Sequence, residues 1–381
     1  MSYTMRQAAD IIRHAITQPL TKSNRVIYLE GSPGIGKTAM AHGLFYEFRR
    51  YKNPAIREDQ VDGFVYDEKL KKDVPGKVSN IHDPNGFTHF VAVVAPEREP
   101  TDMGGLPVPN LLRDAITMLP LEDFRFKPGD RPFFLLDELD KANNMMQNVL
   151  GRIMHEETIC GTVLPEGSFI VAAGNKMTDR AGSFTQNSHI KNRRTIVPVF
   201  AEVTGWIEDY AIPNDIHPAV ISFLRTTDLL HKFDAAAPAF PSPRSWAKVG
   251  EELNRDMEPH VERALIEGDI GVEASNTFWG HLKIFRSLRS PEMIIANPAK
   301  IELPKGKDST AVMWAEITSL AKYTDRSNAD SIFTYFNRLP EEFAFCGYRD
   351  VMIREPKFLT GSKAGQMWMV KNATLLQATK A

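Results

Sequence analysis

The stretch Gly31-Ser32-Pro33-Gly34-Ile35-Gly36-Lys37-Thr38 satisfies G-x-x-x-x-G-K-[ST] over all eight positions. Glycines at these places let backbone N–H groups turn inward around phosphate oxygens, and a following helix adds its positive N-terminal end. Lys37 can reach β- and γ-phosphates as a point charge, and the Thr38 hydroxyl suits Mg²⁺. A second pattern lies downstream. Phe133-Phe134-Leu135-Leu136 runs into Asp137-Glu138, so two carboxylates close an apolar strand. Asp137 there is expected to hold Mg²⁺, mostly through water, and Glu138 to polarise a water attacking the γ-phosphate. Taken alone, the pair is equally a strand ending in solvated acids, with Asp140 continuing the run. Beside a phosphate loop, the reading as a hydrolytic site is the stronger.

The elements that must hold these residues follow from periodicity. Met5, Ala8, Ala9, Ile12, Ala15 and Ile16 recur at helical spacing, predicting an amphipathic helix that ends before Pro19. Short apolar strands are expected at 25–30, 90–95, 132–136, 169–173 and 195–200, helices at 37–50 and 144–155, and a hairpin at 157–166. Residues 51–85 show no clear periodicity and read as an irregular insertion. Strands alternating with helices predict an α/β fold with a parallel five-stranded sheet and helices on both faces. Beyond 203 only helices are expected, at 206–211, 218–230, 243–253 and 258–267. A Pro/Lys-rich connection spans 290–308, helical segments follow to about 352, and the tail from Thr360 is polar. The expected domains are 1–203, nucleotide-binding; 204–289, a helical lid; and 290–381, a helical extension of unassigned role.

Composition narrows the function classes. The chain has 381 residues, 46 Lys+Arg against 48 Asp+Glu and a formal charge of −2, so no global basic field draws in nucleic acid. Arg49-Arg50-Tyr51-Lys52 and Lys69-Leu70-Lys71-Lys72 are the notable basic clusters and read as solvated surface. Two cysteines, Cys160 and Cys346, exclude a disulfide scaffold and a four-thiolate zinc site, and fit a reducing compartment. No apolar run is long enough for a membrane span, and Met1 to Arg6 lacks a signal-peptide pattern, so a cytoplasmic location is expected. No His-x-x-x-His zinc pattern or Gly-x-Ser-x-Gly elbow is present.

The Asp137-Glu138 pair, the strand 169–173 running into Gly174-Asn175, and Lys191-Asn192-Arg193-Arg194 together resemble the core of an AAA+ ATPase, a P-loop NTPase. The resemblance is to the MoxR-type branch in particular, through Thr101-Asp102-Met103-Gly104-Gly105-Leu106-Pro107, Gly161 to Pro165 ahead of the 169–175 strand, and Asn214-Asp215-Ile216-His217-Pro218 within 206–224. It covers about residues 5–285. It implies Asn175 as the first sensor, Arg193 or its rival Arg194 as the arginine supplied to a neighbouring subunit, and Arg244 as a second sensor in the lid. Ser242 and Pro243 are a good N-cap and first helical residue, so Arg244 is expected to project from a helix start. Met5 and Ile12 lie where the family places adenine, although both read first as core, as do Met145, Met146 and Met154.

The resemblance further implies Mg²⁺-dependent cleavage of ATP to ADP, a homo-oligomeric, hexameric ring, and chaperone-like remodelling of a protein partner carrying a von Willebrand factor A domain. A DNA-directed AAA+ motor or loader and a nucleotide-gated scaffold that does not hydrolyse remain as alternatives.

Overall fold

The computed structural model describes residues 2–18, 26–67, 71–179, 184 and 187–373. They form two compact units, 1–200 and 201–381.

The first unit is built on parallel strands β1 (Tyr3–Thr4), β2 (Val26–Glu30), β5 (His89–Val94), β8 (Pro132–Asp137), β11 (Phe169–Gly174) and β12 (Arg194–Phe200), in the order β1-β12-β2-β11-β8-β5. Between them in sequence come the hairpins β3–β4 (Gln60–Asp67, Lys72–Ser79), β6–β7 (Leu106–Pro109, Ile116–Leu119) and β9–β10 (Thr158–Ile159, Thr162–Val163). The five longer strands of the sheet are those expected from the sequence, and β1 adds a short parallel edge against Val199 and Phe200. Arg25 lies outside the described residues. This is the α/β fold expected from the sequence, a parallel sheet with helices, followed in the chain by a helical unit. Helices α1 (Met5–Thr17), α2 (Lys37–Glu47), α3 (Pro100–Gly104), α4 (Asn144–Glu156) and α5 (Ser188–Lys191) complete the unit.

Alternation along each strand splits the core between two faces. Phe133 packs with Phe45, Phe87 and Phe90, its ring centroid 5.2 Å from that of Phe87. Phe134 and Leu136 turn the other way, into a cluster with Tyr28, Val93, Met146, Leu150 and Ile153. Met146 and Met154 are core, but Met145 is 68 % exposed, because the inward stripe of α4 runs through 146, 150, 153 and 154.

Register carries the loops to one place. Glu30 pairs with Gly174, Leu136 with Ala172, and Asp137 with Val94, so the phosphate loop, the acidic pair and the 174–175 turn leave the same C-terminal edge. That edge is where open α/β sheets bind ligands.

Some expectations needed correction. The 51–85 segment contains the regular β3–β4 ladder, whose pattern is masked by Gly63 opposite Gly76 and Phe64 opposite Pro75. The 106–119 hairpin, not anticipated, presents exposed Leu111 and Leu112 at its turn.

The second unit contains α6 (Val203–Trp206) continuing into a π turn (Ile207–Ala211), α7 (Pro218–Leu224), α8 (Pro243–Glu252), α9 (Pro259–Arg286), α10 (Pro291–Ala296), α11 (Ser309–Tyr323), α12 (Ala329–Phe336), α13 (Glu341–Arg354), α14 (Pro356–Gly361) and α15 (Lys363–Lys371). α7 stops short of the expected 230 because Thr226 and Thr227 turn their hydroxyls onto the Phe223 carbonyl at 2.8 and 3.2 Å. The helix expected at 258–267 runs on to Arg286, broken at Gly271, whose φ of 79° suits glycine and whose absent Cβ would stand 2.7 Å from the Ala239 carbonyl. The tail carries α15, capped by Ser362. Arg225, the C-cap of α7, meets Asp350 of α13 at 2.6 Å, Arg349 meets Glu208 at 2.6 Å, and Arg289 meets Glu316 at 2.7 Å, so residues on either side of 290 are ion-paired within one unit.

Candidate functional site

The phosphate loop leaves β2 at Gly31, whose N–H donates to the Gly174 carbonyl at 3.2 Å and ties the loop to the neighbouring strand end. Gly34 (φ 79°) and Gly36 (φ 101°) occupy the left-handed region, so a side chain at either would be strained. Gly36 then caps α2, whose first residues are Lys37 and Thr38. Ser32, Pro33 and Ile35 complete the loop between them.

Lys37 is buried, 8 % exposed, and points back across the loop. Its Nζ donates to the carbonyls of Gly31 (2.7 Å) and Ser32 (3.0 Å) and to Asn175 Oδ1 (3.2 Å). The Thr38 hydroxyl donates to Asp137 Oδ2 at 2.6 Å. Two motifs 99 positions apart in sequence thus share a hydrogen bond. A threonine hydroxyl and one carboxylate are hard oxygen donors, the small set with which Mg²⁺ is held when phosphates and waters complete its shell. The residues fit the metal expected from the sequence.

Asp137 Oδ1 accepts the backbone N–H of Glu138 at 2.9 Å. Glu138 itself is left-handed (φ 52°, ψ 37°), a conformation costing a non-glycine residue roughly 1–2 kcal/mol. Its carboxylate accepts from Lys141 Nζ at 2.8 Å. Asn175 is buried, with its own N–H donating to Asp140 Oδ1 at 2.9 Å and Nδ2 to Oδ2 at 3.4 Å. Asp140, read in the sequence as a continuation of the acidic run, is 1 % exposed and part of this cluster. Nothing near it in sequence marks that role, since its partner is 35 residues away.

Arg193 and Arg194 stand apart from this cluster, at the start of β12, where Arg194 pairs with Val26. Arg193 Nη1 donates to the Gly151 carbonyl of α4 at 2.9 Å. Arg194 lies with its guanidinium carbon 3.7 Å from the Tyr28 ring centroid, and burial lowers its pKa. Arg244, in the second unit, is exposed in the first turn of α8, where Ser242 and Ser245 form a capping box behind Pro243. Ile12 is fully buried in the core, while Met5 is half-buried.

Among solved structures, the chain is similar to a candidate ATPase of Cytophaga hutchinsonii (15 % identity, covering 90 % of this chain and 79 % of that one, TM-score 0.31). It is also similar to a mutant of Thermotoga maritima RuvB (14 %, 81 % and 77 %, 0.34) and to Aeropyrum pernix ORC1 in complex with DNA (14 %, 88 % and 82 %, 0.36). No protein-family model matches the sequence, and no curated protein does. Among the described residues no helix is long and apolar enough to cross a membrane.

Proposed function

We propose that the chain is a Mg²⁺-dependent ATPase of AAA+ class and MoxR type that turns ATP into ADP and phosphate. The observation that carries the reading is the 2.6 Å contact between Thr38 and Asp137, beside a buried Lys37 that already reaches Asn175. A loop for phosphates, an oxygen pair for magnesium and an acid one residue further on are thereby collected at a single sheet edge.

In the reaction, the β- and γ-phosphates replace the Gly31 and Ser32 carbonyls as partners of Lys37. Thr38 and Asp137 would hold magnesium, which when bound would offset charge on the phosphate oxygens. Glu138, released from Lys141, takes up the hydrogen-bonded water that attacks the γ-phosphorus. Asn175 orients that water or the γ-phosphate. The arginine from a neighbouring subunit is Arg193 in preference to Arg194, because Arg194 is stacked against Tyr28 of its own sheet whereas Arg193 gives up only a helix carbonyl. Arg244, on a lid formed by 204–289, reports the γ-phosphate. The ring, hexameric by resemblance, does chaperone-like work on a protein partner with a von Willebrand factor A domain, in the cytoplasm.

The test is steady-state ATP hydrolysis per subunit over a hundredfold range of protein concentration, with Arg193→Ala and Arg194→Ala in parallel. Specific activity is expected to rise with concentration and to collapse in Arg193→Ala. Activity indifferent to both substitutions contradicts the shared site, and activity appearing only with DNA favours a DNA-directed motor.

A further inference from the structure

We infer that Asp140 is a positioning residue for the hydrolysis, fixing which way round the Asn175 amide stands. The inference rests on the ATPase reading and deepens it. A terminal amide has an acceptor end and a donor end of nearly the same shape, so orientation must be imposed by its neighbours. Here two neighbours impose it from opposite sides. The Lys37 ammonium has only protons to offer, so the atom 3.2 Å from it must be the amide oxygen. The amide nitrogen is then turned to Asp140 Oδ2 at 3.4 Å, while Asp140 Oδ1 accepts the Asn175 backbone N–H at 2.9 Å. One carboxylate grips both the main chain and the side chain of the sensor.

The arrangement matters most once ATP is bound. Lys37 then turns to the phosphates, and the amide loses the partner that held its oxygen end. Asp140 remains. It keeps the Nδ2 end anchored, leaving the second Nδ2 proton and the oxygen available to the γ-phosphate and the attacking water. The site is closed around it: a Cβ at Gly174 would stand 2.7 Å from Asp140 Oδ1 and 2.2 Å from the Tyr28 hydroxyl, so both groups cover that glycine. The carboxylate, 1 % exposed, has water largely excluded as a substitute acceptor.

Asp140→Asn tests this with almost no change of shape. An asparagine at 140 can accept the Asn175 N–H or face its Nδ2 with an oxygen, but its other end is a donor. One donor then meets another unless the Asn175 amide turns over, which would set its NH₂ against the Lys37 ammonium. Without ATP no orientation satisfies these three contacts together; with Lys37 turned to the phosphates the inverted amide can form, and the sensor then presents its ends the wrong way round.

The experiment measures Kd for ATP with a fluorescent analogue, and kcat and KM for hydrolysis, on the full-length chain. The variants are Asp140→Asn, Asn175→Ala and the double variant. Asp140→Asn is expected to keep Kd within about threefold and to lower kcat on the order of 10- to 100-fold, less than the 10²–10³ of deleting a stabilising donor outright. The double variant is expected to be no slower than Asn175→Ala alone, since Asp140 acts through that side chain. Losses that multiply in the double variant, or a kcat unchanged in Asp140→Asn, overturn the assignment. If Asp140→Asn fails to fold, Asp140→Ser, which still accepts the backbone N–H, takes its place. Failure of both to melt cooperatively also overturns it, making Asp140 a residue of the fold. Wild-type protein that binds ATP without hydrolysing it refutes the underlying reading instead, and the inference falls with it.

Discussion

Arg225→Met is predicted to be among the most damaging single changes in the second unit. Arg225 Nη2 and Nη1 donate to the two Asp350 oxygens at 2.6 and 2.9 Å, Nη1 also reaches Thr318 Oγ1 at 3.1 Å, and the guanidinium lies 5.3 Å from the Trp314 ring centroid. The side chains are 11 % and 3 % exposed. Burial alone would pull the Arg225 pKa down, yet the charge and hydrogen bonds of Asp350 outweigh it and hold the pKa above its ordinary value. Removing the arginine leaves a buried carboxylate without its counter-ion, at a cost of about 3–5 kcal/mol. For a unit spanning 201–381, at roughly 2–4 °C per kcal/mol, the melting midpoint should fall by about 6–20 °C. The five tryptophans all lie beyond residue 200, so tryptophan fluorescence reports this unit selectively. Arg225→Met/Asp350→Leu, which removes both charges, should recover most of the loss, because an apolar pair of similar volume is often as stable as a buried ion pair. Single substitutions costing under about 1 kcal/mol, or a double variant equal to the sum of the two, would refute the reasoning.

Two further outcomes follow from buried groups in the described residues. Burial lowers the pKa values of His89, His217 and His281 to about 4. An unfolded histidine takes its proton near pH 6.5, so below that the unfolded state binds more protons, and stability is full above 6.5 and is lost as pH falls towards 4. The ceiling is about 3 kcal/mol per histidine, and a melting midpoint flat across that window contradicts the burial. Gly174→Ala drives a methyl group into the Tyr28 hydroxyl and the Asp140 carboxylate. It should cost about 1–3 kcal/mol in a far-ultraviolet circular-dichroism melt and reduce hydrolysis along with it; an unaltered melt shows that the two groups can withdraw.

What was legible in the sequence depended on local signals. The phosphate loop is contiguous, its residue types are dictated by phosphate chemistry, and an apolar run followed by acids announces both a central strand and its end. The start of α8 was legible for the same reason, with Ser242 and Pro243 adjacent to Arg244. The β3–β4 ladder was hidden because glycines and a proline stand at ladder positions and blur the alternation. Met145 misled because a helical stripe read without its partner surface is uncertain by one position in either direction. Asp140 was hidden most completely. Its significance comes from Asn175 and Gly174, which reach it only because β8 and β11 pair in parallel register. The same holds for Arg225 and Asp350, 125 positions apart.

The most direct measurement of the central claim is phosphate release from Mg²⁺-ATP by the wild type, Lys37→Ala and Glu138→Gln, with ATP binding followed on the same samples. The account predicts turnover by the wild type and weak or absent binding in Lys37→Ala. It predicts near wild-type binding in Glu138→Gln with kcat reduced on the order of 10²–10⁴-fold. A Glu138→Gln variant that turns over as fast as the wild type, or a wild type that binds ATP and releases no phosphate at any protein concentration, would contradict it.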